Sequence, residues 1–180
     1  MGIETLILRT QRLNLFALEE RHFEPLAAMH CDPDVMANLG GVWSHEQTRK
    51  AFDRYVAAYH RDGISRWAVE DLSGQFLGLA GVLRHADEVP PPGIHVEIGW
   101  RFVRSAWGQG FAFEASSAAL GHAFQNTNVN DVWAYTTENN LRSKVLMARL
   151  GMLRNPERDF QLTSATGRCW ELKVWSVQRK

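Results

Sequence analysis

The segment His95-Val96-Glu97-Ile98-Gly99-Trp100-Arg101-Phe102-Val103-Arg104-Ser105-Ala106-Trp107-Gly108-Gln109-Gly110-Phe111-Ala112 constrains the chain most. An apolar strand runs into a glycine-containing turn, and the turn opens a helix. In such a turn successive N–H groups converge on one spot, and the helix dipole adds positive potential. Glycines at 108 and 110 keep Cβ atoms away from whatever approaches that backbone. The pattern reads either as an anion cradle, most naturally for a pyrophosphate, or as a tight turn with no ligand. Two other nucleotide sites are excluded. No Gly-Lys-Ser/Thr triplet occurs, so the phosphate loop of nucleotide triphosphatases is missing. Phe113 stands where the dinucleotide fingerprint needs a small residue, and Asp131 begins a strand instead of ending one.

Periodicity places the other elements around this segment. A first strand is expected over Leu13–Ala17, then a helix through Phe23, Leu26, Ala27 and His30. Asp32-Pro33 opens a short helix that Gly40-Gly41 stops. Ser44 with Gln47 forms a capping box for a helix striped by Phe52, Tyr55, Val56 and Tyr59, ending at Asp62-Gly63. Ser65–Leu72 and Gln75–His85 form a hairpin across Ser73-Gly74. The run Glu88–Gly93 holds three prolines and reads as a loop. His95–Val103 is a strand, Gly108–Phe124 a helix, Asp131–Thr137 a strand, and Leu141–Leu150 a helix closed by Gly151. Two last strands are expected near Arg158–Ser164 and Arg168–Val177. The order predicts an α+β fold, a mixed sheet with packed helices, not a doubly wound one.

Composition narrows the function classes. The 180 residues suit one domain, 1–180, with 45% hydrophobic residues to bury. Twenty basic side chains balance twenty acidic ones, which disfavours a nucleic-acid partner. No apolar run approaches the roughly 20 residues of a membrane span. The N-terminus lacks a secretory apolar core, so a cytoplasmic protein is expected. Cys31 and Cys169 match no metal or disulfide spacing and are expected as buried thiols. No metal cluster shows in the spacing of His, Cys, Asp and Glu.

Residues 95–115 resemble the acetyl-coenzyme A binding motif of the GNAT N-acetyltransferase superfamily, written Arg/Gln-x-x-Gly-x-Gly/Ala. The likeness is more specific to its ribosomal-protein N-terminal acetyltransferase-like branch. Thr10-Gln11-Arg12-Leu13 resembles that branch's opening, and Glu97-Ile98-Gly99-Trp100 its central strand. Asn140-Leu141-Arg142-Ser143 followed by Leu150-Gly151-Met152 resembles its late helix. The resemblance implies a mostly antiparallel central sheet that splays open, with the pantetheine arm of acetyl-CoA in the gap. It implies that Phe102 and Val103 meet that arm through their backbone. Arg104 to Ala112 would hold the pyrophosphate, with Gly108, Gln109, Gly110, Phe111 and Ala112 forming the cradle. Asn140 would bond the arm, and Ser143 would lie near the thioester sulfur. Ser105 replaces the motif's Arg or Gln, and Arg104 is the neighbouring charge for a phosphate. Met147 stands where many members carry a tyrosine acid, so that acid does not transfer.

The expected activity is acetyl-CoA dependent N-acetylation of a primary amine, a protein N-terminus or a small molecule, by direct attack in a ternary complex. A non-catalytic acyl-CoA sensing module and a ribosome-associated protein are the alternatives, and a homodimer is possible. The attacking amine must be neutral. Glu97 is the candidate base, because partial burial in an apolar strand would lift its pKa toward 7. His95 shares its face by alternation, and Glu138 lies near the next strand's end. His85 and His22 read as structural. Ser143 is the candidate acid, or a hydroxyl that bonds backbone at a helix start. Trp43, Trp67 and Trp170 are candidates for an aromatic acceptor wall, or core.

Overall fold

The computed structural model describes residues 5–85, 92–163 and 169–180. An antiparallel run opens the sheet: β1 (Leu6–Arg9), β2 (Leu13–Phe16), β3 (Arg66–Asp71), β4 (Phe76–His85) and β5 (His95–Phe102) pair in sequence order. The helices α1 (Phe23–His30), α2 (Pro33–Met36) and α3 (His45–Asp62) come between β2 and β3. After β5 come α4 (Phe111–Asn126), β6 (Asp131–Thr137) and α5 (Leu141–Arg149). The chain closes with β7 (Leu153–Arg154), β8 (Phe160–Thr163) and β9 (Cys169–Gln178). Among the described residues the order is β1-β2-β3-β4-β5-β6-β9-β7, with β8 also on β9. Every pairing is antiparallel except β5 with β6. The expected mixed, mostly antiparallel sheet is the one observed.

Alternation along β4 builds two cores, one on each side of the sheet. Ala80 and Val82 face Ala115, Ala119 and Ala123 of α4. Leu79 and Leu83 face Phe23 and Leu26 of α1 and Phe52 and Tyr55 of α3. Small residues on α4 let that helix lie close to the sheet. The α3 start carries both halves of its capping box, with the Ser44 N–H donating to Gln47 Oε1 at 2.8 Å and the Gln47 N–H to Ser44 Oγ at 3.2 Å. Gly63 ends that helix in the left-handed conformation, φ 70°.

Several expectations need correction. Leu6–Arg9 forms a strand of its own, and Leu153–Arg154 adds another, because short edge strands lack a strong period. The fourth helix begins at Phe111, since Gly108 and Gly110 both adopt positive φ. Trp67 is fully buried in the α4-side core, so it is no acceptor wall. Cys31 and Cys169 are free and exposed, not buried. Most of the proline loop and the tip of the last hairpin lie outside the described residues.

Candidate active site

The parallel pairing of β5 and β6 registers only Glu97 with Trp133. Beyond that pair the two strands separate toward their C-terminal ends. A cleft of about 730 Å³ occupies the gap, walled by Trp100, Arg101, Phe102, Gly110, Asn140 and Ser143 among others. The cleft joins the two sides of the sheet. Phe102 packs into the α4-side core. Arg101 points to the α1–α3 side, where it meets His30 and Trp43.

The turn before α4 forms one end of the cleft. Gly110 is the residue before the helix, φ 82°, and no side chain caps the first turn. The first N–H groups of α4 are therefore free of a side-chain acceptor, as an anion cradle requires. The back of this turn is clamped from β1–β2. Glu114 of α4 accepts from Thr10 Oγ1 at 2.6 Å and the Arg12 N–H at 2.9 Å, and pairs with Arg12 Nη2 at 2.7 Å. Arg12 Nη1 donates to the Gln109 carbonyl at 2.9 Å. That clamp is the physical reason for the Thr-x-Arg pattern near the N-terminus, whose residues lie 104 and 102 positions from Glu114.

The other predicted cofactor residues divide. Gly108, Gly110 and Ala112 line the cleft with Phe102, Asn140 and Ser143. Gln109 and Phe111 stand behind it: Gln109 Nε2 donates to the Ser105 carbonyl at 2.6 Å, and Phe111 lies under Arg12 at 4.6 Å. The Val103 N–H donates to the Leu77 carbonyl at 2.9 Å, and the Phe102 carbonyl accepts from Trp107 Nε1 at 2.9 Å. Arg104 is held by Asp32 at 3.2 Å and by Asp34. Its charge is thus already matched at the start of α2. Two cleft-wall cations with no carboxylate partner among the described residues are Arg142 and Arg149 of α5, which lie over Trp107 at 4.4 Å and Phe113 at 4.3 Å. Sequence reasoning gave them no role; their i, i+7 spacing on one helix face was the available signal.

Asn140 caps α5, its Oδ1 accepting the Ser143 N–H at 3.3 Å while its Nδ2 donates to Thr136 Oγ1 at 2.8 Å. Ser143 is half-buried on the cleft wall. Met147 is buried in the core and offers no proton. Glu138 is exposed and paired with Lys144, away from the cleft wall.

Glu97 lies on β5 outside that wall, in a polar cluster that the spacing did not show. Its Oε1 meets Arg66 Nη2 at 2.9 Å. Its Oε2 accepts from His85 Nε2 at 2.8 Å and from the Tyr135 hydroxyl at 2.9 Å. Burial pushes the carboxyl up, but Arg66, His85 and Tyr135 outweigh it and hold the pKa down at about 2. The expected rise toward 7 is reversed, because the strand's neighbours are donors and not only apolar groups. Tyr135 is pushed up by burial and by Glu97, so it remains a donor. Gly99 makes room for Arg66: a Cβ there would lie 2.6 Å from Arg66 Nη2. His85 stacks on His95, ring centres 4.4 Å apart, and His95 Nδ1 donates to the Gly93 carbonyl at 2.6 Å. His85, His95 and Glu97 thus gather polar atoms within 4.8 Å of one another. Sequence spacing excluded such a group and read His85 as structural; β4–β5 pairing of His85 with His95 creates it.

Residues 12–153 match the family model described as acetyltransferase (GNAT) domain. A Bacillus subtilis (strain 168) relative, the uncharacterized protein YkkB, is 31% identical over 145 residues, 79% of this chain and 83% of its own length. The acetyltransferase of Agrobacterium tumefaciens str. C58 superposes with a TM-score of 0.79 at 24% identity, covering 99% of this chain and 96% of that one. An acetyl transferase from Salmonella typhimurium that modifies the N-terminal serine of the 50S ribosomal subunit protein L7/L12 shares the fold, with a TM-score of 0.74 at 16% identity over 95% and 97% of the two chains. With its match over most of the chain, its splayed sheet and its glycine cradle, the protein belongs to the GNAT acetyltransferase family and is an acyltransferase.

Proposed function

We propose that the protein is an acetyl-CoA dependent N-acetyltransferase acting on a primary amine by direct attack in a ternary complex. The observation that carries this reading is the cleft at the β5–β6 split, which ends on the uncapped first turn of α4. The residues present fit the co-substrate. Backbone N–H groups from Gly108 to Ala112 would receive an anion at the uncapped helix start, and Arg142 and Arg149 would add charge beside it. Phe102 and Asn140 border the path of the pantetheine arm, whereas Val103 lies outside the cleft lining with its N–H bonded to the Leu77 carbonyl. Acetyl-CoA supplies an activated acetyl thioester.

The chain's own work is positioning. Holding amine and thioester together supplies several kcal/mol of the barrier by effective molarity alone. Glu97, held at about 2, is a poor acceptor for an ammonium proton. It acts instead as a buried anion that anchors Arg66 and orients His85 and Tyr135. The amine then enters in its neutral fraction. The Ser143 hydroxyl, on the cleft wall with its N–H tied to Asn140, passes its proton to the leaving thiolate and takes up the proton released by the attacking amine, ending as a hydroxyl again.

Two measurements test this reading. Calorimetry should give one acetyl-CoA per chain, and free thiol should appear when acceptor amines are added. Tight binding with no thiol release across a broad amine panel would establish the acyl-CoA sensing module instead. The acceptor's class, protein N-terminus or small molecule, is addressed by including both in the panel.

A further inference from the structure

We infer that Arg101 forms an anion-recognition site in the acceptor half of the cleft, and that the acceptor is therefore a small amine bearing a carboxylate, such as an amino acid. This rests on the acetyltransferase reading and names the substrate class of that same site.

Arg101 is unusual among the arginines of the cleft. Its position is set by a neutral group: Nη1 donates to His30 Nε2 at 2.6 Å, and His30 Nδ1 in turn donates to Thr48 Oγ1 at 3.0 Å. Burial, and then the Arg101 charge, push His30 down to about 3, so this imidazole is uncharged near neutral pH. The indole of Trp43 lies against the guanidinium at 4.8 Å. Among the described residues no carboxylate comes within ion-pair distance of Arg101, and its Nε is buried with no hydrogen-bond partner. The guanidinium stays protonated at any working pH; burial opposes its charge, and Glu97 supports it only through space, so this wall carries a desolvated cation with no carboxylate bonded to it.

A buried charge without a counter-charge is costly, and native proteins keep one where a ligand completes it. The guanidinium lines the cleft, and a carboxylate there would pair with its fork of N–H donors. His30, Thr48 and Trp43 hold the fork without neutralising it, which leaves its charge for the ligand. The cofactor does not account for this cation. Its cradle, Arg142 and Arg149 lie toward α4 and α5, whereas Arg101 faces the α1–α3 side of the sheet. The neighbouring Arg66 is already matched by Glu97 at 2.9 Å. The same charge opposes a polyamine, whose second ammonium would meet Arg101 across a low-dielectric gap.

The test uses amino acids, their carboxamides and the matching amines without the carboxylate. Acetylation is followed by thiol release, and acceptor binding to the CoA-loaded protein by calorimetry. The carboxylate form should exceed its amide at least tenfold in kcat/KM and in affinity. Arg101→Met should raise KM for the carboxylate form at least tenfold and leave the amide within about twofold. Arg101→Lys should keep part of the preference, which a merely structural role would not. Acetyl-CoA affinity should stay within twofold in both variants. Equal use of acid and amide, or a preference for polyamines, overturns the inference while leaving the acetyltransferase reading intact. An equal loss of acetyl-CoA binding in Arg101→Met also overturns it, by assigning the arginine to the cofactor. If no amine is acetylated, the acetyltransferase reading fails, and the calorimetric acid–amide comparison still decides whether Arg101 binds a carboxylate.

Discussion

At the scale of single residues, charge compensation separates Glu97 from Arg101. Both lie on one face of β5, four positions apart. Glu97 has donors on both oxygens, and Arg101 has an imidazole and an indole. Glu97→Gln leaves the guanidinium of Arg66 without its buried partner. A loss of about 3–5 kcal/mol in denaturant-unfolding stability is expected. Replacing Arg66 by Met in the same protein should restore part of it. In the folded variant, the acidic limb of the kcat/KM profile should persist and move with the pKa of the amine used. A limb that vanishes with Glu97→Gln would make Glu97 the base after all. The Gly110 backbone is a second residue-scale constraint. Its φ of 82° strains any side chain, although a Cβ there would only reach ordinary contact with Arg12 Nη2, at 3.4 Å. Gly110→Ala should cost roughly 1–2 kcal/mol of stability and weaken acetyl-CoA binding by at least tenfold in calorimetry.

At the scale of elements, the cradle and the α5 cap depend on side chains far from them in sequence. The α4 start is fixed from behind by Thr10 and Arg12 through Glu114. Glu114→Ala should release the Gln109 turn, lowering acetyl-CoA affinity several-fold with little change in KM for the amine. The exposed pair itself contributes at most about 1 kcal/mol to stability, so binding is the informative readout. Asn140 is both cap and cleft wall. Asn140→Ala should destabilise by about 1 kcal/mol and weaken cofactor binding, whereas Asn139→Ala, at an exposed position, should do neither. Thermal melts with paired titrations check both.

At the scale of the molecule, two buried histidines, His22 just before α1 and His30 at its end, fold in their neutral form. Burial holds His22 at about 4 and His30 at about 3, against an ordinary value near 6.5. The unfolded chain takes up these protons as pH falls through 6.5, and the native state does not until far lower. Stability from these sites is thus complete above 6.5 and falls as pH drops toward 4 for His22 and toward 3 for His30. The slope approaches roughly 1.4 kcal/mol per pH unit for each histidine. Urea midpoints between pH 7.5 and 4.5 should show it, and His30→Gln should remove about one proton's share of the slope. A flat profile would mean that these imidazoles charge without unfolding the protein.

The sequence by itself determined the local geometry. Strand, Gly108-x-Gly110 turn and helix could be read because glycine conformation and hydrophobic period act within a few residues. The capping box at Ser44 could be read for the same reason, whereas the helix-start role expected of the Ser143 hydroxyl belongs to Asn140. The order of elements then left few sheets to choose from, and the family resemblance agreed with that order. Tertiary structure alone decided the electrostatics. Whether Glu97 rises or falls depends on Arg66 from β3, His85 from β4 and Tyr135 from β6, none of which its own strand reveals. Arg101 reads in the sequence as one more strand arginine; only the packing of α1 and α3 against β5 gives it a neutral partner and leaves its charge open. Coulombic interaction acts through space, so it is set by which strands become neighbours and not by which residues adjoin along the chain.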